Sequence, residues 1–313
     1  MTDVSVFALP ETVAGARSLA QVLGVPLSLA AIHRFPDGEI KVTATAAASR
    51  VIVYAPLDHP NEKLLALLFA SEALRRQGAQ RLVLVAPYMC YMRQDTAFQP
   101  GEAISQRVVG KLLADAFDRV VTVDAHLHRV KRIADVFTGI EAEDISAVPA
   151  IAGELAARAG SAQTIIVGPD EESEGWVRDL ARRLGLPHGV ARKIRRGDRH
   201  VEIAVAEPER FAHKDVILLD DMISSGGTII ACAKALREAG AANIDVVVTH
   251  ALFDEATAHA FAAAGIRTVR STDSVPHASN SISLAPILAQ VLHRELGALP
   301  QLNSQRSKTE GPT

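Results

Sequence analysis

Eight short runs of apolar and β-branched residues alternate along this chain with eight helical patterns, and no other feature restricts its fold as much. The runs lie near 4–8, 51–55, 81–86, 119–124, 164–167, 216–220, 244–249 and 267–270. The helical patterns lie near 11–23, 61–77, 104–116, 148–159, 174–184, 227–239, 255–263 and 284–296. Strands separated by helices pair in parallel, because each helix carries the chain back to the end where the previous strand began. The run from Val216 to Leu219 is continuously apolar rather than alternating, as in a strand covered on both faces. An α/β fold of mainly parallel sheet flanked by helices is expected.

Length then asks how many such units there are. At 313 residues the chain exceeds one domain of ordinary size. The segment 73-ALRRQGAQRLVLV-85 is similar to 235-ALREAGAANIDVV-247, each being a helix end, a capping glycine and a strand. This echo predicts two similar halves joined near 140–150, divided here as 1–145 and 146–297. Residues 298–313 end in the polar, aperiodic 300-PQLNSQRSKTEGPT-313, expected to be a disordered tail. A formal net charge of −3 and a pI near 6.4 argue against a nucleic-acid partner. Cys90 and Cys232, the two cysteines, sit in apolar surroundings, which fits buried free thiols in a reducing compartment. The chain shows neither a secretory leader pattern nor an apolar run of membrane-spanning length. A cytoplasmic protein without a membrane partner is expected.

The stretch 216-VILLDDMISSGGTIIACAKALREAG-240 carries the first chemical signal. A buried strand, a turn of small residues and a helix N-terminus together offer backbone N–H groups to a phosphate. Asp220 and Asp221 stand just before that turn, an odd place for two carboxylates, since like charges repel. Three widespread signatures do not occur: there is no G-x-x-x-x-G-K-[ST], no G-x-G-x-x-G after a strand and no G-x-S-x-G elbow. His126 and His128 read either as a metal-binding H-x-H or as a solvated or core pair. Four more polar stretches fall where an α/β fold places its strand-end loops: 34-RFPDGEI-40, 87-PYMCYMRQD-95, 123-VDAHLH-128 and 168-GPDEESEG-175. Each alone has an ordinary reading as a turn, a solvated loop or an acidic helix start.

In this order and spacing, the five stretches resemble those of the ribose-phosphate diphosphokinases, also called phosphoribosyl diphosphate synthetases, over the chain to about residue 297. The resemblance implies two phosphoribosyltransferase-type domains, the first on the ATP side and the second bearing the ribose 5-phosphate loop. It also implies Mg²⁺ and transfer of the diphosphoryl group of ATP to the C1 hydroxyl of ribose 5-phosphate. The products would be 5-phosphoribosyl 1-diphosphate and AMP. By similarity Ser224, Ser225, Gly226, Gly227 and Thr228 wrap the 5-phosphate, while Asp220 and Asp221 face the ribose hydroxyls, which carboxylates accept well.

The remaining roles carry over in the same way. Phe35, Asp37 and Glu39 resemble an adenine-binding loop that reaches into a neighbouring subunit's site, implying a homo-oligomer with the active site at a subunit interface. Arg93 and Gln94 resemble an ATP-contacting pair, and His126 and Asp170 match positions that hold Mg²⁺. In 191-ARKIRRGDRHVEI-203, Lys193 and Arg195 fit a catalytic K-x-R on a loop that closes over the transferring phosphate. A solvated hairpin is the plainer reading of that charge run. The chain departs from the pattern at Ser224, where many members have aspartate, and at Glu171 and Glu172, where many have glycines. Its 126-HLHRVKR-132 lacks a glutamine-rich continuation, so control by phosphate or ADP is not implied. Two rivals stand beside this reading: a phosphoribosyltransferase that consumes the diphosphate, and a non-catalytic regulatory homologue.

Overall fold

All eight apolar runs form strands in the computed structural model, which describes residues 3–45, 48–156, 163–196 and 200–297, with the side chains of 193–202 and the whole of 298–313 outside that description. The chain opens β1 (Val4–Ala8), α1 (Val13–Leu23), β2 (Leu27–Leu29) and a hairpin of β3 (Ala31–Arg34) and β4 (Ile40–Thr43). It continues through β5 (Arg50–Tyr54), α2 (Pro60–Arg76), β6 (Arg81–Ala86), α3 (Ser105–Ala116), β7 (Arg119–Val123), β8 (Glu141–Ile145) and α4 (Val148–Ala156). The second half runs β9 (Thr164–Gly168), α5 (Glu174–Leu184), β10 (His188–Arg196), β11 (His200–Val205), β12 (Asp215–Ile223) and α6 (Gly227–Glu238). It closes with β13 (Asn243–Ala251), α7 (Glu255–Ala263), β14 (Thr268–Thr272), β15 (Asn280–Ile282) and α8 (Ala285–Leu292).

Two sheets result. The first is all parallel in the order β2-β1-β5-β6-β7-β8; the second runs β11-β10-β9-β12-β13-β14-β15, parallel except where β10 meets β11. Without β11 the two orders are the same, with β9, β12 and β13 standing where β1, β5 and β6 stand. The echo between 73–85 and 235–247 thus marks equivalent places, the α2–β6 and α6–β13 junctions.

The continuous apolar runs follow from burial on both faces. In β12, Val216 and Leu218 pack under α6 with Ile229, Cys232 and Leu236, while Ile217 and Leu219 turn to the opposite face. That opposite face belongs to a core shared by both sheets. Val6, Ile52, Val85 and Val121 of the first sheet join Ile166, Ile217 and Val247 of the second, with residues of α1, α4, α5 and α8 between. A third core lies under α2 and α3. Cys90 and Cys232 are free and buried, and burial pushes both thiols up to about 12, so neither is a thiolate near neutral pH. Among the described residues, no helix is long and apolar enough to cross a membrane.

Candidate functional site

The strands that open the site end side by side. β12 lies between β9 and β13. Its C-terminal end carries Asp220 and Asp221, beside the β9 end that leads into Asp170. The turn after β12 depends on one glycine. Gly226 sits in the left-handed region at φ 72°, and a Cβ there would come within 2.7 Å of both Phe261 and Thr257. Gly227 then begins α6, whose first residues line a cavity. Gly168 answers a different need: a Cβ would lie 2.0 Å from the Ser173 hydroxyl, which donates to the Asp170 carbonyl and folds the chain back into α5.

A cavity of about 280 Å³ gathers most of the residues expected from sequence. It is lined by Asp170, Asp220, Asp221 and the whole run Ser224–Thr228 from the second half, and by Arg93 and His126 from the first. Other expected residues lie elsewhere. Phe35, Asp37 and Glu39 sit at the tip of the β3–β4 hairpin, where Gly38 turns at φ 93° and Asp37 accepts the Glu39 N–H at 3.1 Å, and none of them lines this cavity. Gln94 does not line it either; its side-chain oxygen accepts from the Ser105 hydroxyl at 2.8 Å. Lys193 and Arg195 lie on β10, paired with Ile203 and Val201 of β11, and their side chains are outside the described residues.

The electrostatics of the pocket are dominated by carboxylates. Burial, then the neighbouring charges of Asp221 and Asp170, push the Asp220 carboxyl well above the ordinary carboxylate range. Asp221 is 5% exposed and its Oδ2 meets His126 Nδ1 at 2.6 Å, a hydrogen bond that raises the imidazole. Arg93 contributes the opposing charge, its guanidinium resting against the Met222 sulfur at the rim.

Sequence reasoning missed how these parts are tied together. Asp95, read as the end of an Arg-Gln-Asp element, is buried and accepts from both the Arg129 backbone N–H and its guanidinium at 2.8 Å. It staples the Arg93 loop to the His126 loop. Asp124, at φ 41°, accepts from Ala147 N–H at 3.1 Å, the Thr249 hydroxyl at 2.9 Å and the Trp176 indole at 3.2 Å, so the turn before α4, strand β13 and helix α5 together fix the base of the His126 loop. His250 on β13 is fully buried against the Val123 carbonyl and the Ser274 hydroxyl, and burial lowers it to about 4, keeping it neutral. Asp95 and Asp124 at least fall within polar strand-end stretches, whereas no sequence pattern marks His250.

Two consequences can be measured. Gly226→Ala should lower stability by at least roughly 1–2 kcal/mol in urea melts, since the left-handed backbone alone costs that much and the Cβ displaces Phe261. An unchanged urea midpoint would show that the turn relaxes without strain. Asp144 Oδ1 accepts the Ala125 N–H at 2.9 Å, and burial, with Asp124's charge adding, pushes its carboxyl up to about 7. Its folded pKa exceeds its unfolded one, so its contribution is full below about pH 4 and lost as pH rises through 7. Asp144→Asn keeps the acceptor without the charge. Asp144 stands open to solvent on one side, which screens its charge, so in urea melts the variant should gain at most about 1 kcal/mol over the parent at pH 8 and nearly nothing at pH 4. A difference independent of pH would refute the assignment.

The chain is similar to known proteins over most of its length. Residues 4–116 match the family described as the N-terminal domain of ribose phosphate pyrophosphokinase, and residues 141–286 match the phosphoribosyl transferase domain. A ribose-phosphate pyrophosphokinase of Methanopyrus kandleri is 33% identical over 294 residues, covering 93% of this chain and 99% of that one. One from Methanothermobacter thermautotrophicus is 32% identical, covering 88% and 95%. The crystal structure of a phosphoribosylpyrophosphate synthetase from Mycobacterium smegmatis superposes with a TM-score of 0.80 at 28% identity, covering 94% of this chain and 100% of that one. Two sheets of one topology, a phosphate-type loop on the second and relatives matched almost end to end lead to one statement: this chain belongs to the ribose-phosphate pyrophosphokinase family.

Proposed function

We propose that the chain transfers the diphosphoryl group of ATP to the C1 hydroxyl of ribose 5-phosphate, releasing AMP, in the pocket between the two sheets. One observation carries the reading: a single cavity joins the Ser224–Thr228 loop and paired carboxylates of one half to Arg93 and His126 of the other. The loop's N–H groups and hydroxyls take the 5-phosphate, and Asp220 and Asp221 accept from the ribose hydroxyls. Arg93 takes phosphate oxygens of ATP, with Gln94 beside it. Lys193 and Arg195 act on the charge that builds as the bond between the α- and β-phosphates breaks.

Mg²⁺ fits the donor set. Asp170, Asp220 and Asp221 give hard oxygens, and the cost of keeping them charged together, from burial first and mutual repulsion second, would be relieved by a dication. His126 and Asp170 would hold it, and it would neutralise phosphate oxygens during transfer. The expected product of ATP, ribose 5-phosphate and Mg²⁺ is AMP. ADP in its place would mark a γ-phosphoryl kinase, and no nucleotide product would leave the regulatory or phosphoribosyltransferase readings.

The position of Phe35, Asp37 and Glu39 away from the cavity supports a homo-oligomer in which this hairpin completes a neighbour's site. Inactive Lys193→Ala and Glu39→Ala proteins should then regain partial activity once their subunits exchange. No recovery despite proven exchange would place both residues in one chain's site.

A further inference from the structure

Three side chains at the mouth of the pocket form a second cluster, of which the reading above uses only His126. His126, His128 and Glu172 each bring one ligand-type atom to within 4.8 Å of the others. The two imidazoles meet edge to face with centroids 4.3 Å apart, and His128 Nδ1 lies 3.6 Å from a Glu172 oxygen. The histidines follow β7 in the first half, whereas Glu172 lies in the short turn before α5 in the second. Glu172 is the member that needs explaining. A carboxylate at the rim of a phosphate pocket repels the ligand unless a cation holds it. Glu171, its neighbour, faces Arg192 at 3.8 Å, but Glu172 faces the two imidazoles.

We propose that His126, His128 and Glu172 bind a divalent transition metal of the nitrogen-seeking class, such as Zn²⁺, Ni²⁺ or Co²⁺, with a ligand set different from that assigned to Mg²⁺. Two imidazole nitrogens and one carboxylate oxygen suit these ions, whereas Mg²⁺ prefers an all-oxygen shell. Asp221 supplies an independent observation. Its Oδ2 holds His126 Nδ1 at 2.6 Å, which fixes the tautomer and leaves the other ring nitrogen as a lone pair. A carboxylate behind a histidine in this way is the usual support of a metal ligand. Ligand atoms around a tetrahedral ion stand about 3.4 Å apart, given bonds of about 2.1 Å, so a modest rotation of the exposed His128 and Glu172 side chains closes the set. Because His126 belongs to both ligand sets, the metal competes with the Mg²⁺ role given to that residue. Only this effect on turnover rests on the proposed function; the binding itself does not.

The test uses the full-length metal-free protein without substrates, so failure of the proposed activity leaves its result intact. Co²⁺ is titrated while its visible absorption is followed together with quenching of Trp176, the sole tryptophan, which lines the pocket. Saturable binding at one ion per chain is expected, resisting millimolar Mg²⁺. His128→Ala and Glu172→Gln should each weaken it by at least about tenfold, with thermal midpoints unchanged. Wild-type affinity in both variants, displacement by Mg²⁺ at comparable concentration, or an absence of saturable binding would overturn the proposal.

Discussion

Asp221→Asn is expected to lower kcat/KM for ribose 5-phosphate by about a hundredfold, close to 2.7 kcal/mol of lost transition-state binding. The substitution is nearly isosteric, and an amide oxygen still accepts from His126 Nδ1, so the fold and the imidazole's position are kept. What disappears is a buried negative charge in the cavity that also holds Asp170 and Asp220. In the proposed reaction that charge would do two things that an amide does poorly: accept strongly from a ribose diol and help retain a dication. Steady-state kinetics with ribose 5-phosphate varied at saturating ATP and Mg²⁺ decide the matter. A change smaller than about fivefold, with melting unaltered, would remove Asp221 from the reacting groups.

The largest effect on stability is expected far from the pocket. Arg119, at the start of β7, is completely buried, and its guanidinium donates to Glu295 Oε1 at 2.9 Å and to Glu143 at 2.9 Å. Glu295 is 3% exposed and also receives Arg81 through both carboxylate oxygens, at 2.7 and 3.0 Å. Glu295→Ala strips this buried guanidinium of one of its two carboxylates, and removing one partner of a buried pair costs about 3–5 kcal/mol. The double variant Arg119→Met, Glu295→Leu should recover much of that loss, because no charge is then left buried without its partner. Urea midpoints of the parent, single and double variants separate the two contributions. A single variant within about 1 kcal/mol of the parent, on the scale of exposed pairs, would show that solvent already reaches Arg119.

These two sites also show where the sequence was readable. Asp221 was legible because strand, carboxylates, small-residue turn and helix are contiguous, and each segment announces itself by pattern. Glu295 was not, since its partners Arg81 and Arg119 lie 214 and 176 residues away and nothing local marks the pairing. The same reason hid β8, whose acidic Glu141–Ile145 has no apolar run. Its acids are matched by Arg81, Arg119 and Arg294 instead. Arg93, His126 and Asp170 were found from their own short motifs, but the work of Asp95, Trp176 and Thr249, which hold those motifs in place, became visible only once distant strands were brought together. The β3–β4 hairpin was read as a loop because its exposed residues lack the buried-strand signature, and its tip turned out to stand apart from the cavity.

The apolar layer common to both sheets has a mechanical consequence. Duplicated folds often behave as two bodies turning about a linker, with a cleft that opens and shuts between them. Here α1, α4, α5 and α8 lie between the sheets, and their side chains share one buried cluster with those of both sheets. Such close-packed material yields little to bending or sliding. The angle between the halves is therefore fixed, and the floor of the pocket is a rigid seat. Any fit to a ligand then falls on the strand-end loops at the rim, and the chain meets it as an anvil, not as a hinge.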